Sequence, residues 1–176
     1  MKNIGKLILA SLVFATLPTY AADFNSSYTS IDEANCKTLA SSEMESMQLC
    51  QKFADIEVKV IDADLHQSLI LNRKGKSFPL DFWSTVTPHF STLGAKIEWR
   101  HKKDKPTEIV GMITRLNASE NPEKKTSYLV VSKVTVDEIC VVGKVSPQAM
   151  QNEKARTMAD KSASMACIKI TEASDF

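Results

Sequence analysis

The chain is poor in glycine, with five in 176 residues, and no two of them are close together. That removes the glycine-rich loops that cradle phosphates. Other signatures are missing too. There is no Gly-x-Ser-x-Gly, no Ser-x-x-Lys, no His-Glu-x-x-His and no Cys-x-x-Cys. The local motifs of serine hydrolases, zinc peptidases and dithiol oxidoreductases are therefore absent. Charge of either sign is not in excess, at a formal +1. Near-neutrality gives no electrostatic argument for nucleic acid or an anionic membrane as partner. Beyond the N-terminus, no apolar run reaches the length of a membrane span, so no stable membrane insertion is expected.

What is present begins with "MKNIGKLILASLVFATLPTYA". Lys2 and Lys6 precede the apolar stretch Leu7 to Leu17, and Thr19 and Ala21 place small residues at −3 and −1 of a cleavage site. This order predicts a secretory signal peptide over residues 1–21 and a periplasmic or secreted protein. Its removal takes away two lysines and no acid, which moves the formal charge from +1 to −1.

Four cysteines follow, Cys36, Cys50, Cys140 and Cys167. An even number in an exported chain reads as two disulfides. Three pairings are possible, and the grouping into two early and two late favours Cys36–Cys50 with Cys140–Cys167. Closures of these lengths stabilise by about 3 kcal/mol each in the loop-entropy account. No histidine lies at ligand spacing from a cysteine, so zinc is a poor fit, and no metal or cofactor is assigned.

Residues 22–54 are polar and rich in serine. Ser30 and Glu33 have capping-box spacing, which predicts a short helix over Ile31–Ala40, and Ser42 with Glu45 repeats the spacing. From residue 55 the pattern changes. "DIEVKVID" alternates cleanly, and strands are also predicted at 65–72, 95–102, 107–117, 126–136 and 138–145. The stretch from Phe78 to Phe90, with Leu80, Phe82 and Trp83, is broken by Pro79 and Pro88 and reads as an irregular flap over the core. Ser146 and Pro147 signal a C-terminal helix running to Ala166. Ala155, Ala159, Ala163 and Ala166 form its small-residue stripe, and Arg156 can pair with Asp160 across one turn. The expectation is an α+β domain over 55–176: an antiparallel sheet of five to six strands with the C-terminal helix on one face. A straight helix from Pro147 to Ala166 would overshoot Cys140 by about 13 Å, so a Cys140–Cys167 bond requires a late start, an early end or an oblique crossing.

Histidines number three. His101 and Glu98 fall on opposite faces of a predicted strand, which excludes a local acid–base pair. Glu98 and Arg100 are expected in an ion pair flanking a buried Trp99. His89 follows Pro88 in the irregular segment, a position open to a cleft that the sequence itself does not indicate. The candidate binding residues are therefore Trp83, His89, Glu98 and Arg100, with no catalytic residue assigned.

The order of several short motifs resembles an uncharacterised family of small exported proteins of Gram-negative bacteria. The pieces are Cys36 and Cys50, "EWR" at 98–100, "KP" at 105–106, "LVVSKV" at 129–134, "CVVGKV" at 140–145, "ARTMAD" at 155–160 and Cys167. The resemblance implies a periplasmic or secreted location and agrees with the two cysteine pairs; it carries no activity. The expected function is a non-enzymatic binding or accessory protein of the bacterial envelope, with a macromolecule or small molecule as partner. One rival is a hydrolase-like enzyme whose His89, Glu98 and Arg100 converge from separate loops. Another is an inhibitor of a secreted enzyme such as a lysozyme.

Overall fold

A computed structural model describes residues 23–121 and 123–169. The predicted signal segment lies outside them. Ten strands occur among the described residues. They are β1 (Phe24–Ser30), β2 (Lys37–Ser41), β3 (Glu45–Leu49), β4 (Ile56–Ala63), β5 (His66–Arg73), β6 (Lys76–Pro79), β7 (Ser91–Lys102), β8 (Lys105–Asn121), β9 (Lys124–Val134) and β10 (Ile139–Val145). Two helices accompany them, α1 (Phe82–Thr85) and α2 (Gln151–Lys161), with short 3-10 turns at Glu33–Asn35 and Ser162–Ser164. No helix among these residues is long and apolar enough to cross a membrane.

The strands form one sheet in the order β10-β9-β8-β7-β5-β4-β3-β2, with β1 added to β7 and β6 to β5. This corrects the expected five to six antiparallel strands. The sheet is also mixed, because β5 meets β7 in parallel at His66 and Ser91. Two strands share one edge of β7: β5 takes Ser91, and β1 takes Lys96 to Lys102. The register of β7 shifts between Leu93 and Ile97, where that edge changes partner.

The sheet is thus two halves joined at one point. One inner core draws on both, with Ile56, Val58 and Val60 of β4, Leu69 and Leu71 of β5, Ile97 and Trp99 of β7, Met112 and Leu116 of β8, and Val130 of β9. Trp99 is wholly buried and stacks on Phe53 at 5.2 Å. A second, outer cluster of Ile113, Leu129, Val131, Val142 and Val145 receives Ala155 and Ala159 of α2. Alternation along β8 and β9 supplies both, since successive side chains point to opposite faces. β8, apolar on both faces, lies between β7 and β9 as its pattern indicated.

Gly111 explains how closely the helix lies. A Cβ there would sit 2.8 Å from the Ala159 carbonyl oxygen and 2.8 Å from Ser162 Oγ. The Ser162 hydroxyl instead donates to the Val110 carbonyl at 2.8 Å. Only Ala155 and Ala159 of the alanine stripe are buried; Ala163 and Ala166 are exposed beyond the helix end.

Three local expectations change. Instead of a helix over Ile31–Ala40 there is a single 3-10 turn, capped by the Asp32 side chain accepting from Ala34 N–H, followed by β2. Ser42 and Glu45 close the β2–β3 hairpin through reciprocal bonds. The C-terminal helix starts at Gln151, after Met150 in the left-handed region, and ends at Lys161. Both disulfides, Cys36–Cys50 and Cys140–Cys167, are present.

Candidate functional site

Two of the four candidate residues, Glu98 and Arg100, sit on the face of β7 opposite Trp99, toward α2. Arg100 is buried, and its guanidinium holds Asp160 through two bonds, Nε to Oδ1 at 2.7 Å and Nη2 to Oδ2 at 2.9 Å. Glu98 accepts from Arg156, Nε at 2.6 Å and Nη2 at 3.3 Å. Ser26 of β1 joins the pairs, accepting from Arg100 at 2.7 Å and donating to Glu98 at 2.5 Å. The expected Arg156–Asp160 pair along the helix is therefore replaced by two pairs between helix and sheet. Fork-to-carboxylate pairing of this kind is stronger than an exposed i,i+4 pair. The "EWR" and "ARTMAD" segments meet here, and their charges serve to dock α2.

Burial alone would raise the Glu98 carboxyl. Hydrogen bonds from Arg156 and Ser26, with the two arginine charges, outweigh it and hold Glu98 below its ordinary value. A carboxylate lowered in the folded state adds stability that is fully present above its unfolded value and is lost as pH falls through its folded one. Urea midpoints measured against pH should therefore fall below the ordinary carboxylate range. The Glu98→Gln variant should show a shallower fall; an identical acid slope would remove Glu98 from the clamp.

The other two candidates lie elsewhere. Trp83 is half-buried on α1. His89 is exposed in the loop before β7, and Ser91 to Glu98 alone spans roughly 20 Å of strand. His89, Glu98 and Arg100 do not share a site. His101 lies on the Trp99 side, near the Phe53 ring and 3.0 Å from Ser27 Oγ.

His89 belongs to a cleft of about 510 Å³ lined by His66, Pro88, His89, Phe90, Ser119, Asn121 and Lys125. Its walls are the 87–90 loop, His66 of β5 and the adjoining ends of β8 and β9. The Ser91 amide donates to the Leu65 carbonyl at 2.9 Å, and the Ser119 amide to the Phe90 carbonyl at 2.8 Å, so the loop is tied on both sides. The His66 ring has the Asp64 carbonyl 2.7 Å from Nδ1 and the Pro88 carbonyl 3.3 Å from Nε2. Phe90 meets that ring edge-on at 5.2 Å while remaining 50% exposed. Leu65, 62% exposed, lines a separate depression with Met44 and Asp64. Below the loop, Lys144 donates to the Val86 carbonyl at 2.5 Å and lies over the Tyr128 ring. Tyr128 donates to Glu120, as does Thr126 at 2.7 Å. These bonds hold Glu120 below its ordinary value and push the Tyr128 phenol up.

Family models, curated proteins and solved structures give no match to this chain. No residue role is inherited, and function must be read from the geometry.

One group of potential metal ligands occurs among the described residues, Glu138, Cys140 and Cys167, with donor atoms within 4.8 Å of one another. Both sulfurs are spent in a disulfide, and Glu138 binds the buried Lys133 at 2.6 Å. Of the cleft residues, sequence reasoning singled out His89 alone. Phe90, in the proline-broken stretch from Phe78 to Phe90, was the available signal.

Proposed function

We propose that the protein is an exported, non-enzymatic binding protein of the bacterial envelope, and that the cleft beside His89 is where it binds. The cleft carries this reading. It is concave, of ligand size, and built from a short loop fastened to a rigid sheet, the arrangement expected of a pre-formed site. Phe90 leaves apolar surface on its lining. Export is supported by the leader-like order of residues 1–21 and by two disulfides, which persist in oxidising compartments. The non-enzymatic part is supported by the separation of His89 from Glu98 and Arg100, and by the commitment of those two charges to α2.

The test uses protein recovered from the periplasm of a Gram-negative host, where its N-terminus should be Ala22. Melting is followed in the presence of size-fractionated envelope extract. A ligand at a hundredfold excess over its Kd raises the midpoint on the order of 5–10 °C for a chain of this size. One fraction should do so for the unaltered protein and fail for Phe90→Ala. A shift in no fraction, or one indifferent to Phe90, overturns the proposal.

A further inference from the structure

The described residues that line the cleft include His66, His89 and Lys125 and no carboxylate. Glu120, between Ser119 and Asn121 in the chain, is engaged by Tyr128, Thr126 and Lys124, and His89 is close enough to help hold it below its ordinary value. Among the described residues, His89 and Lys125 take part in no ion pair. Lys125 therefore brings to the cleft a positive charge that no ion pair takes up, and His89 adds an imidazole. The half-exposed ring of Phe90 lines the same cleft, and Ser119 and Asn121 supply hydroxyl and amide groups. Ser91, next to Phe90 and paired with His66, buries a hydroxyl that has no partner.

We infer that the cleft takes a small anionic saccharide, its carboxylate or phosphate held by Lys125 and His89 and its ring resting on Phe90. Each part of such a ligand has a counterpart here. A strongly hydrated anion needs charged donors, which make hydrogen bonds stronger than neutral ones. Sugar hydroxyls need small polar partners. The C–H face of the ring needs an apolar plate held in place, and His66 fixes Phe90 from one side. An uncharged sugar would leave Lys125 and His89 unused, and an apolar ligand would strip water from Ser119 and the Asn121 amide nitrogen without replacing its hydrogen bonds. This inference rests on the cleft being the binding site, and it adds the ligand's chemistry.

Proton–nitrogen NMR of the protein recovered from periplasm tests it with four probes: glucuronic acid, glucose 6-phosphate, glucose and inorganic phosphate. The two acidic sugars should move the amides of residues 87, 89–91, 119–121 and 123–125 in a saturable way. Glucose and inorganic phosphate should each bind about tenfold more weakly or not at all, since each lacks one half of the recognition. The preference between the acidic sugars distinguishes carboxylate from phosphate. In the Lys125→Ala, His89→Ala double variant, affinity for the preferred sugar should drop about tenfold or more. Both side chains are exposed, so the fold should hold, and an unchanged spectrum outside the cleft checks that. Equal binding of glucose, unaltered affinity in the double variant, or no response to either acidic sugar overturns the inference. If Phe90-dependent stabilisation by envelope extract survives such a result, the cleft remains the binding site and only the ligand class falls.

Discussion

Replacing Asp160 by alanine should destabilise the protein by about 3–5 kcal/mol, the range for removing one partner of a buried ion pair. The cost arises from what stays behind. Arg100 is 6% exposed, and two of its guanidinium nitrogens are satisfied by Asp160 alone. With the carboxylate gone, a cation remains between β7 and α2 with Ser26 as its nearest acceptor. Glu98 is reached through Ser26, which places the expected loss toward the lower end of the range. The measurement is urea denaturation, read as a lower midpoint at unchanged slope. Two further variants separate the charge from the space it occupies. Asp160→Asn keeps the volume and should recover part of the loss. Arg100→Met with Asp160→Leu removes both charges and should recover most of it, because an apolar replacement of a buried pair is often neutral. A loss under about 1 kcal/mol in Asp160→Ala would mean that Arg100 reaches water, as exposed pairs do.

The origin of that pair shows where sequence reading reached and where it stopped. Alternation in "DIEVKVID" places Ile56, Val58 and Val60 in the core, and all three are buried. Trp99 and the central position of β8 were equally legible, because each is fixed by a local pattern with a buried face. The N-terminal strands were not. Only Thr29 of β1 is buried, and every residue of β2 is exposed. Such strands owe their conformation to hydrogen bonds offered by a neighbouring strand, and their side chains record nothing of it. The spacing of Ser30 and Glu33 therefore won the local reading, and the strand count came out too low. The partner of Arg156 was illegible for a related reason. A contact four residues away is always visible in a sequence, but a carboxylate fifty-eight positions upstream becomes its neighbour only once the helix docks. The cleft combines both difficulties. His89 and Lys125 line one cleft because the Ser119 amide binds the Phe90 carbonyl, a backbone contact that leaves no trace in residue type.

Removing the Cys140–Cys167 disulfide, as Cys140→Ser with Cys167→Ser, should cost about 3.5 kcal/mol, the loop-closure value for a separation of 27 residues. The length argument that made this bond awkward for a long helix now supports it. From Cys140 to Val145 the strand advances about 17 Å, and the ten steps of α2 from Gln151 to Lys161 return about 15 Å. Loops at 146–150 and 162–166 take up the rest, and the two Cα atoms end 5.7 Å apart. The helix both starts late and ends early, and the sheet sets its length. Just after the bond, the Ile168 amide donates to the Val141 carbonyl at 2.8 Å, which ties this segment to the edge of β10. Without the disulfide, that segment and the last turn of α2 should open first, seen as faster amide exchange at 162–169 than in β8 and β9. The Cys36–Cys50 bond closes a shorter loop at the sheet margin, where β2 is fully exposed. Its removal should loosen β2 and β3 locally while β7 to β10 keep their protection. If instead the two double-serine variants melt alike and lose exchange protection across the whole sheet, then α2 is not held as an independent clamp. Helix and strands would form one cooperative unit, and the ion pairs at Arg100 and Glu98 would carry the docking without help from the bond.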